Sequence, residues 1–206
     1  MLKNAACLLF TLLLSTCLFA QDNSFQGGLV GGPLVSQVSG DGLGGFDKLG
    51  YQLGAYVHIP FSKKWAGKIE LGYIAKGSQR PGNPDNIGEN TWGYRFNYIE
   101  VPLLLERQFR KFNIQFGPAI GVLVSSSYVF NKEKFEIVNP EAASTDISFM
   151  GGIAYPLSDK FTASMRYSQS LVPVRDYVDV GVNPVFDGGM YNSALHLIVH
   201  YRIGGK

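Results

Sequence analysis

Beyond residue 20 the chain contains no cysteine: its two cysteines, Cys7 and Cys17, both fall in the first 20 positions. Disulfide scaffolds, thiol catalysis and thiolate metal sites are thereby excluded for the remainder. Charge is sparse, at 17% of residues with a formal balance of +2, so there is no basic field of the kind that holds nucleic acid. After residue 20 no apolar run approaches the roughly 20 residues of a membrane helix. No helical stripe of useful length, low-complexity tract or domain boundary is visible either. A membrane-crossing chain of this composition crosses as strands.

The first 20 residues have the order of a secretory signal. Lys3 precedes an apolar run from Ala5 to Leu14, then Ser15-Thr16-Cys17-Leu18-Phe19-Ala20 and the polar Gln21-Asp22-Asn23. Cleavage is expected after Ala20, which makes residues 1–20 a removed signal peptide and 21–206 a single exported domain.

What that domain has in abundance is glycine (25) and aromatic residues, with 14 Phe and 11 Tyr. Alternation with period two recurs along it. Leu49, Tyr51, Leu53, Ala55, Val57 and Ile59 share one face of a strand, and Gln52, Tyr56 and His58 the other. Trp65, Ile69, Leu71, Tyr73 and Ala75 then oppose Lys68, Glu70, Gly72 and Lys76. Ile99, Val101, Leu103 and Leu105 oppose Tyr98, Glu100, Pro102 and Leu104. Pro102 excludes a helix interior there, where it would cost roughly 3 kcal/mol. In a strand it removes one ladder donor, so a bulge or irregularity is expected beside it. Further strands are expected over 113–124, 146–155, 161–168 and 192–203, and a Gly-rich one over 25–38 whose facing is ambiguous.

The connections alternate in length. Those near 39–48, 77–91, 125–145 and 171–190 are long, whereas those near 60–64, 106–112 and 156–160 are short. Outer-membrane barrels have short periplasmic turns and long outer loops. Trp65, Phe161 and Tyr201 fall toward the turn end and Tyr51, Tyr73 and Tyr167 nearer the loop end, as two interfacial girdles require. The fold class is therefore all-β, an eight-stranded antiparallel up-and-down transmembrane β-barrel, located in the cell outer membrane.

Four segments carry a family resemblance: Gly44-Gly45-Phe46-Asp47-Lys48-Leu49-Gly50, Tyr98-Ile99-Glu100-Val101-Pro102-Leu103-Leu104-Leu105, Phe116-Gly117-Pro118 and Arg166-Tyr167-Ser168. Together they resemble the PorT-like outer-membrane β-barrel proteins typical of Bacteroidetes. The resemblance implies an eight-stranded barrel, in some members an accessory to a secretion machinery, and says little about activity. Where such barrels often end on an aromatic residue, this chain runs on from Tyr201 to Lys206.

The inward positions gather Lys68, Glu70, Glu100, Arg166 and His196, together with His200 and Arg202. Glu70 and Glu100 fall at similar height on neighbouring strands. Two carboxylates so placed can share a proton or act as an acid and base, but an eight-stranded barrel has room inside for side chains and little else. The preferred reading is a structural network in which Glu70 and Glu100 pair with Lys68 or Arg166. His196 and His200 lie about 13 Å apart along one strand face and cannot share an ion. No nucleophile elbow or phosphate loop is present. No catalytic residue, metal or cofactor is expected. The expected partners are outer-membrane lipid and other envelope or secretion proteins. The expected function is non-enzymatic, as a structural anchor or an interaction or secretion accessory acting through the long outer loops. A small pore and a soluble periplasmic barrel binding an apolar ligand are the alternatives.

Overall fold

The computed structural model describes residues 25–82, 91–130, 133–136, 142–176 and 189–203. The signal segment, both cysteines and residues 204–206 lie outside them. Ten strands follow in chain order: β1 (Gln26–Ser39), β2 (Lys48–Pro60), β3 (Trp65–Arg80), β4 (Trp92–Phe109), β5 (Phe112–Phe130), β6 (Glu133–Glu136), β7 (Thr145–Pro156), β8 (Phe161–Ser170), β9 (Arg175–Asp176) and β10 (Gly189–Ile203). Eight long ones run β1-β2-β3-β4-β5-β7-β8-β10, each antiparallel to the next, and β1 pairs β10 to close the ring. The short β6 and β9 belong to the long connections and pair with β5 and β10.

Closure removes every sheet edge, which a span through hydrocarbon demands, because an unpaired backbone group there has no water to bond. The two faces of the wall are inverted relative to a soluble protein. Leu53, Ile69, Leu71, Leu103, Ile120, Val122 and Leu197 are exposed, whereas Lys68, Glu70, Glu100, Glu106 and Arg166 are buried. The sequence alternation assigns these faces correctly, and the structure settles the facing of β1, which the sequence left ambiguous: Val30, Leu34, Ser36 and Val38 point inward and Leu29 outward.

Two of the short turns are built alike. Pro60-Phe61-Ser62-Lys63-Lys64-Trp65 and Pro156-Leu157-Ser158-Asp159-Lys160-Phe161 each place a serine hydroxyl as acceptor for later amides. Ser62 Oγ accepts from Lys64 N at 3.3 Å and Trp65 N at 3.0 Å, and Ser158 Oγ from Lys160 N at 3.3 Å and Phe161 N at 3.2 Å. Phe61 N and Leu157 N close the turns on the carbonyls of Trp65 and Phe161. Ser62→Ala is expected to cost about 0.5–1.5 kcal/mol, read as a lower guanidinium midpoint with unchanged final fold. Between β4 and β5 only Arg110 and Lys111 remain, with Arg110 at φ 56° and Phe109 opposite Phe112.

The expected irregularity beside Pro102 takes a different form. Pairing of β3 with β4 lapses between Ile69↔Leu103 and Gly72↔Glu100 and resumes in the same register. One missing donor removes a ladder bond without requiring an extra residue. The bulge lies elsewhere, between Asn97 and Tyr98, where Tyr98 faces Leu123 and Asn97 faces Ser125, leaving Val124 unpaired. Above it β4 begins at Trp92, ahead of the expected start at 97, and β5 continues past the expected end at 124 to Phe130, into the segment expected to be loop. The bulge keeps Phe96, Tyr94, Tyr128 and Phe130 on the face that continues the barrel interior, since side chains alternate about it with one residue skipped.

At the loop end β3 comes into direct contact with β1. Ser36 Oγ donates to Gly77 O at 2.9 Å and accepts from Gly77 N at 3.0 Å, which ties β3 to β1. Gly77 has φ +144°, and a Cβ there would come within 2.0 Å of Tyr94 O. Gly77→Ala is expected to cost about 1–3 kcal/mol through strain and a displaced β4, measurable as earlier unfolding in vesicles.

Candidate functional site

Of the interior residues singled out from the sequence, Lys68, Glu70, Glu100, Arg166 and His196 are all at most 5% exposed and His200 is buried with them, whereas Arg202 is only half-buried. The alternation of β3, β4, β8 and β10 turns them into the bore, where a lone charge is intolerable and a paired, hydrogen-bonded one is not. Their pairings form successive tiers away from the short turns.

Nearest the turns, Glu106 accepts from Lys68 Nζ at 2.6 Å and from His58 Nε2 at 3.0 Å. Gln115 Nε2 donates to the same carboxylate, and Gln115 Oε1 accepts from Arg166 Nε at 2.8 Å. Arg166 then grips Glu70 with both ends of its fork, Nη1 to Oε2 at 2.8 Å and Nη2 to Oε1 at 2.6 Å. This two-bond geometry is the strongest a guanidinium makes. His200 Nε2 lies between the two, 2.9 Å from Glu70 Oε1 and 3.0 Å from Arg166 Nη2, and Tyr56 packs edge-on against the His200 ring. Here β3 and β8 are joined across the bore by Glu70 and Arg166.

His196 occupies the next tier. Its Nδ1 lies 2.7 Å from Gln52 Oε1 and its Nε2 2.9 Å from Ser168 Oγ. An amide oxygen only accepts, so Nδ1 carries the proton and Nε2 accepts from the serine. Both ring nitrogens of His196 are committed, and His200 is committed to a different tier. Among the described residues no three His, Cys, Asp or Glu side chains converge on a point that could hold a metal.

Glu100 departs from expectation. Its partner is Lys76, not Lys68 or Arg166. Gly72 is the residue directly across from Glu100, and the long Lys76 side chain reaches back toward it from four positions further along β3. Lys68 is already held by Glu106, a residue that sequence reasoning had assigned to the turn. Lys76 Nζ also lies 3.4 Å from Asp146 Oδ2, and Asp146 accepts from Ser170 Oγ at 2.6 Å and Asn192 Nδ2 at 3.1 Å. Two carboxylates therefore share one ammonium, which sits 5.6 Å from the Tyr98 ring centroid. Glu70 and Glu100 do border a common cavity, with Gln52, Met150 and Arg166, but each is held by its own cation. Glu100→Gln keeps an acceptor and Asp146 still serves Lys76. It is expected to cost about 1–3 kcal/mol, seen as a lower unfolding midpoint at unaltered membrane insertion.

Beyond this tier the bore changes character. Leu34, Val38, Ile74, Phe96, Tyr98, Val174, Met190 and Ala194 form an apolar plug. Val174 comes from the connection after β8 and is fastened there, its amide donating to Met190 O at 2.8 Å and its carbonyl accepting from Ala143 N at 2.7 Å. From the plug an aromatic ladder climbs the inner face of β4 and β5. Phe96 stacks on Tyr94 at 6.1 Å, Tyr94 meets Tyr128 at 5.5 Å, and Tyr128 and Phe130 flank Trp92 at 6.0 and 5.2 Å. Arg175 lies over the Tyr94 ring at 5.3 Å. Phe96 is wholly buried and Trp92 is 44% exposed. Missed in the sequence were Glu106, Gln115 and Asp146 as network members and the whole plug. The ladder was hidden because Tyr128 and Phe130 fall in the expected 125–145 loop and Trp92, Tyr94 and Phe96 precede the expected start of β4 at 97.

An apolar exterior, a closed ring of antiparallel strands and a bore filled by ion pairs define an outer-membrane β-barrel. The chain belongs to the outer membrane protein beta-barrel domain family, whose model matches residues 19–176. No curated protein matches it. Among solved structures it is similar to Neisserial surface protein A (TM-score 0.52, 10% identity, 88% of this chain and 99% of that one). It is also similar to Ail, the attachment invasion locus protein of Yersinia pestis (TM-score 0.49, 12% identity, 86% and 98%), and to the outer membrane protein AlkL (TM-score 0.36, 15% identity, 87% and 92%). At such identities the likeness to Neisserial surface protein A speaks for the fold alone. The protein resides in the outer membrane with lipid against its wall.

Proposed function

We propose that the protein is a non-conducting, non-enzymatic barrel that acts from its loop end, as an anchor or accessory of an envelope or secretion assembly. The observation that carries this reading is the filled bore: three tiers of paired side chains lie beneath an apolar plug. A small pore would need a continuous wet path, and Phe96, Tyr98, Leu34 and Val174 occupy its outer end. A soluble carrier of apolar ligands would need an apolar bore and a polar exterior, and both are reversed here. The resemblance to PorT-like proteins supports the secretion-accessory form.

The loop-end aromatic ladder supplies a contact surface. Trp92, Tyr128 and Phe130 form an amphipathic, low-entropy patch of the kind enriched at protein interfaces. Combined Trp92→Ala and Tyr128→Ala substitution is expected to leave the barrel folded, as shown by heat-modifiable gel migration, while lowering at least about tenfold its recovery with the complex isolated from cross-linked envelopes. Recovery of an unchanged complex contradicts the reading.

A further inference from the structure

The charge of the chain is unevenly placed. The three short turns and the strand ends beside them carry Lys63, Lys64, Arg107, Arg110, Lys111 and Lys160, all exposed, against one exposed acid, Asp159; Glu106 is buried in the bore and paired with Lys68 and His58. The whole chain is only +2, so the remainder is net acidic and the turn end carries a net positive charge of its own.

Arg107 shows what this end meets. It lies on the outward face of β4, in line with Leu103 and Leu105, and is thus beside the membrane and not beyond it. Its cross-strand partner is Trp65, and its guanidinium carbon sits 5.1 Å from the Trp65 ring centroid. Arg110 lies 5.9 Å from the Phe109 ring, and Phe61, Phe109 and Phe161 are exposed in the same belt. A cation on the lipid side of the wall is tenable only at headgroup depth. Stacking covers one face of the guanidinium and leaves its in-plane N–H donors free, in the geometry that matches a phosphate oxygen pair.

We propose that the turn end is a phosphate-binding collar for anionic phospholipid headgroups of the adjoining leaflet, with Arg107 on Trp65 as its best-formed site. The turn lysines and Arg110 add a diffuse attraction that falls off within a Debye length. The collar fixes the depth of the barrel and enriches phosphatidylglycerol-type lipid around its turn end.

Trp65 itself reports on the site, since the only other tryptophan, Trp92, lies at the opposite end. A full-length Trp92→Phe protein is folded into phosphatidylcholine vesicles containing either brominated phosphatidylglycerol or brominated phosphatidylcholine, and quenching of Trp65 is compared. The expected result is a preference for phosphatidylglycerol of about fivefold. It should collapse toward one in high salt, fall most in Arg107→Gln and be only partly retained in Arg107→Lys, which keeps the charge and loses the fork. Equal quenching by the two lipids overturns the proposal, as does a preference untouched by salt and by Arg107→Gln. Abolition of the preference by inorganic phosphate at modest concentration also overturns it, by assigning the site to a soluble anion. If Arg107→Gln does not fold, the salt titration of the parent protein decides alone.

Discussion

Replacing Arg166 with methionine is expected to lower the unfolding free energy by about 3–5 kcal/mol. The change removes one side chain and strands two others. Glu70 loses both charge-assisted bonds and stays buried at 3% exposure, Gln115 Oε1 loses its donor, and the link between β3 and β8 across the bore disappears. Most of the cost is that of a buried carboxylate without its cation, and the direct worth of the ion pair is smaller. The double variant Arg166→Met with Glu70→Leu should therefore recover a large part of the loss, because removing both charges removes the desolvation penalty along with the attraction. His200 and Gln115 would remain short of partners, so recovery stays incomplete. Guanidinium unfolding in vesicles, followed by heat-modifiable migration, gives all three free energies. Additive losses in the double variant would contradict the pairing.

Leu103→Arg is expected to cost about 2–4 kcal/mol and to slow insertion. Leu103 is 44% exposed, and in a protein bathed in water a polar residue at such a position changes stability by no more than about 0.5 kcal/mol. Here the same position faces hydrocarbon, near the middle of β4, too far from either rim for an arginine to reach headgroups without cost. The inward neighbour Leu104 packs on Ala119 and Met150, so Leu104→Ala is expected to destabilise by cavity formation, by about 2–5 kcal/mol, without dependence on bilayer thickness. Sensitivity of the Leu103 variant to bilayer thickness, and insensitivity of the Leu104 variant, separates lipid from core. A near-neutral Leu103→Arg would contradict the inverted wall.

The wall was legible because lipid on one side and a polar bore on the other force a strict period of two, and Ile99, Val101, Leu103 and Leu105 keep it. Strand ends were less legible for the same reason. Above the membrane the outward positions Arg95 and Asn97 of β4 no longer need to be apolar, so the pattern that identifies a strand stops before the strand does. The bulge at Val124 is concealed within Val122-Leu123-Val124, where three apolar residues in a row carry no phase. In the bore, residue types identified the network but not its wiring. Glu70 and Arg166 meet across the barrel, a distance that strand counting does not supply, and Glu100 takes Lys76 because the two long side chains lean toward each other and together close the roughly 13 Å that four positions of β3 put between them. Glu106 was hidden by its nearness to a turn, although β4 continues to Phe109. The plug draws Val174 and Met190 from the flanks of a long connection, where no periodicity exists to announce an inward side chain.

The central claim is a barrel sealed by its own side chains, and single-channel recording in planar bilayers tests it most directly. Folded full-length protein, verified by heat-modifiable migration before and after recording, is expected to give no discrete conductance steps at any applied potential. Opening should follow only when the interior is dismantled, as in a combined Phe96→Ala, Val174→Ala and Lys76→Ala variant. Discrete, reproducible steps from the intact protein would contradict the sealed bore and make the protein a pore.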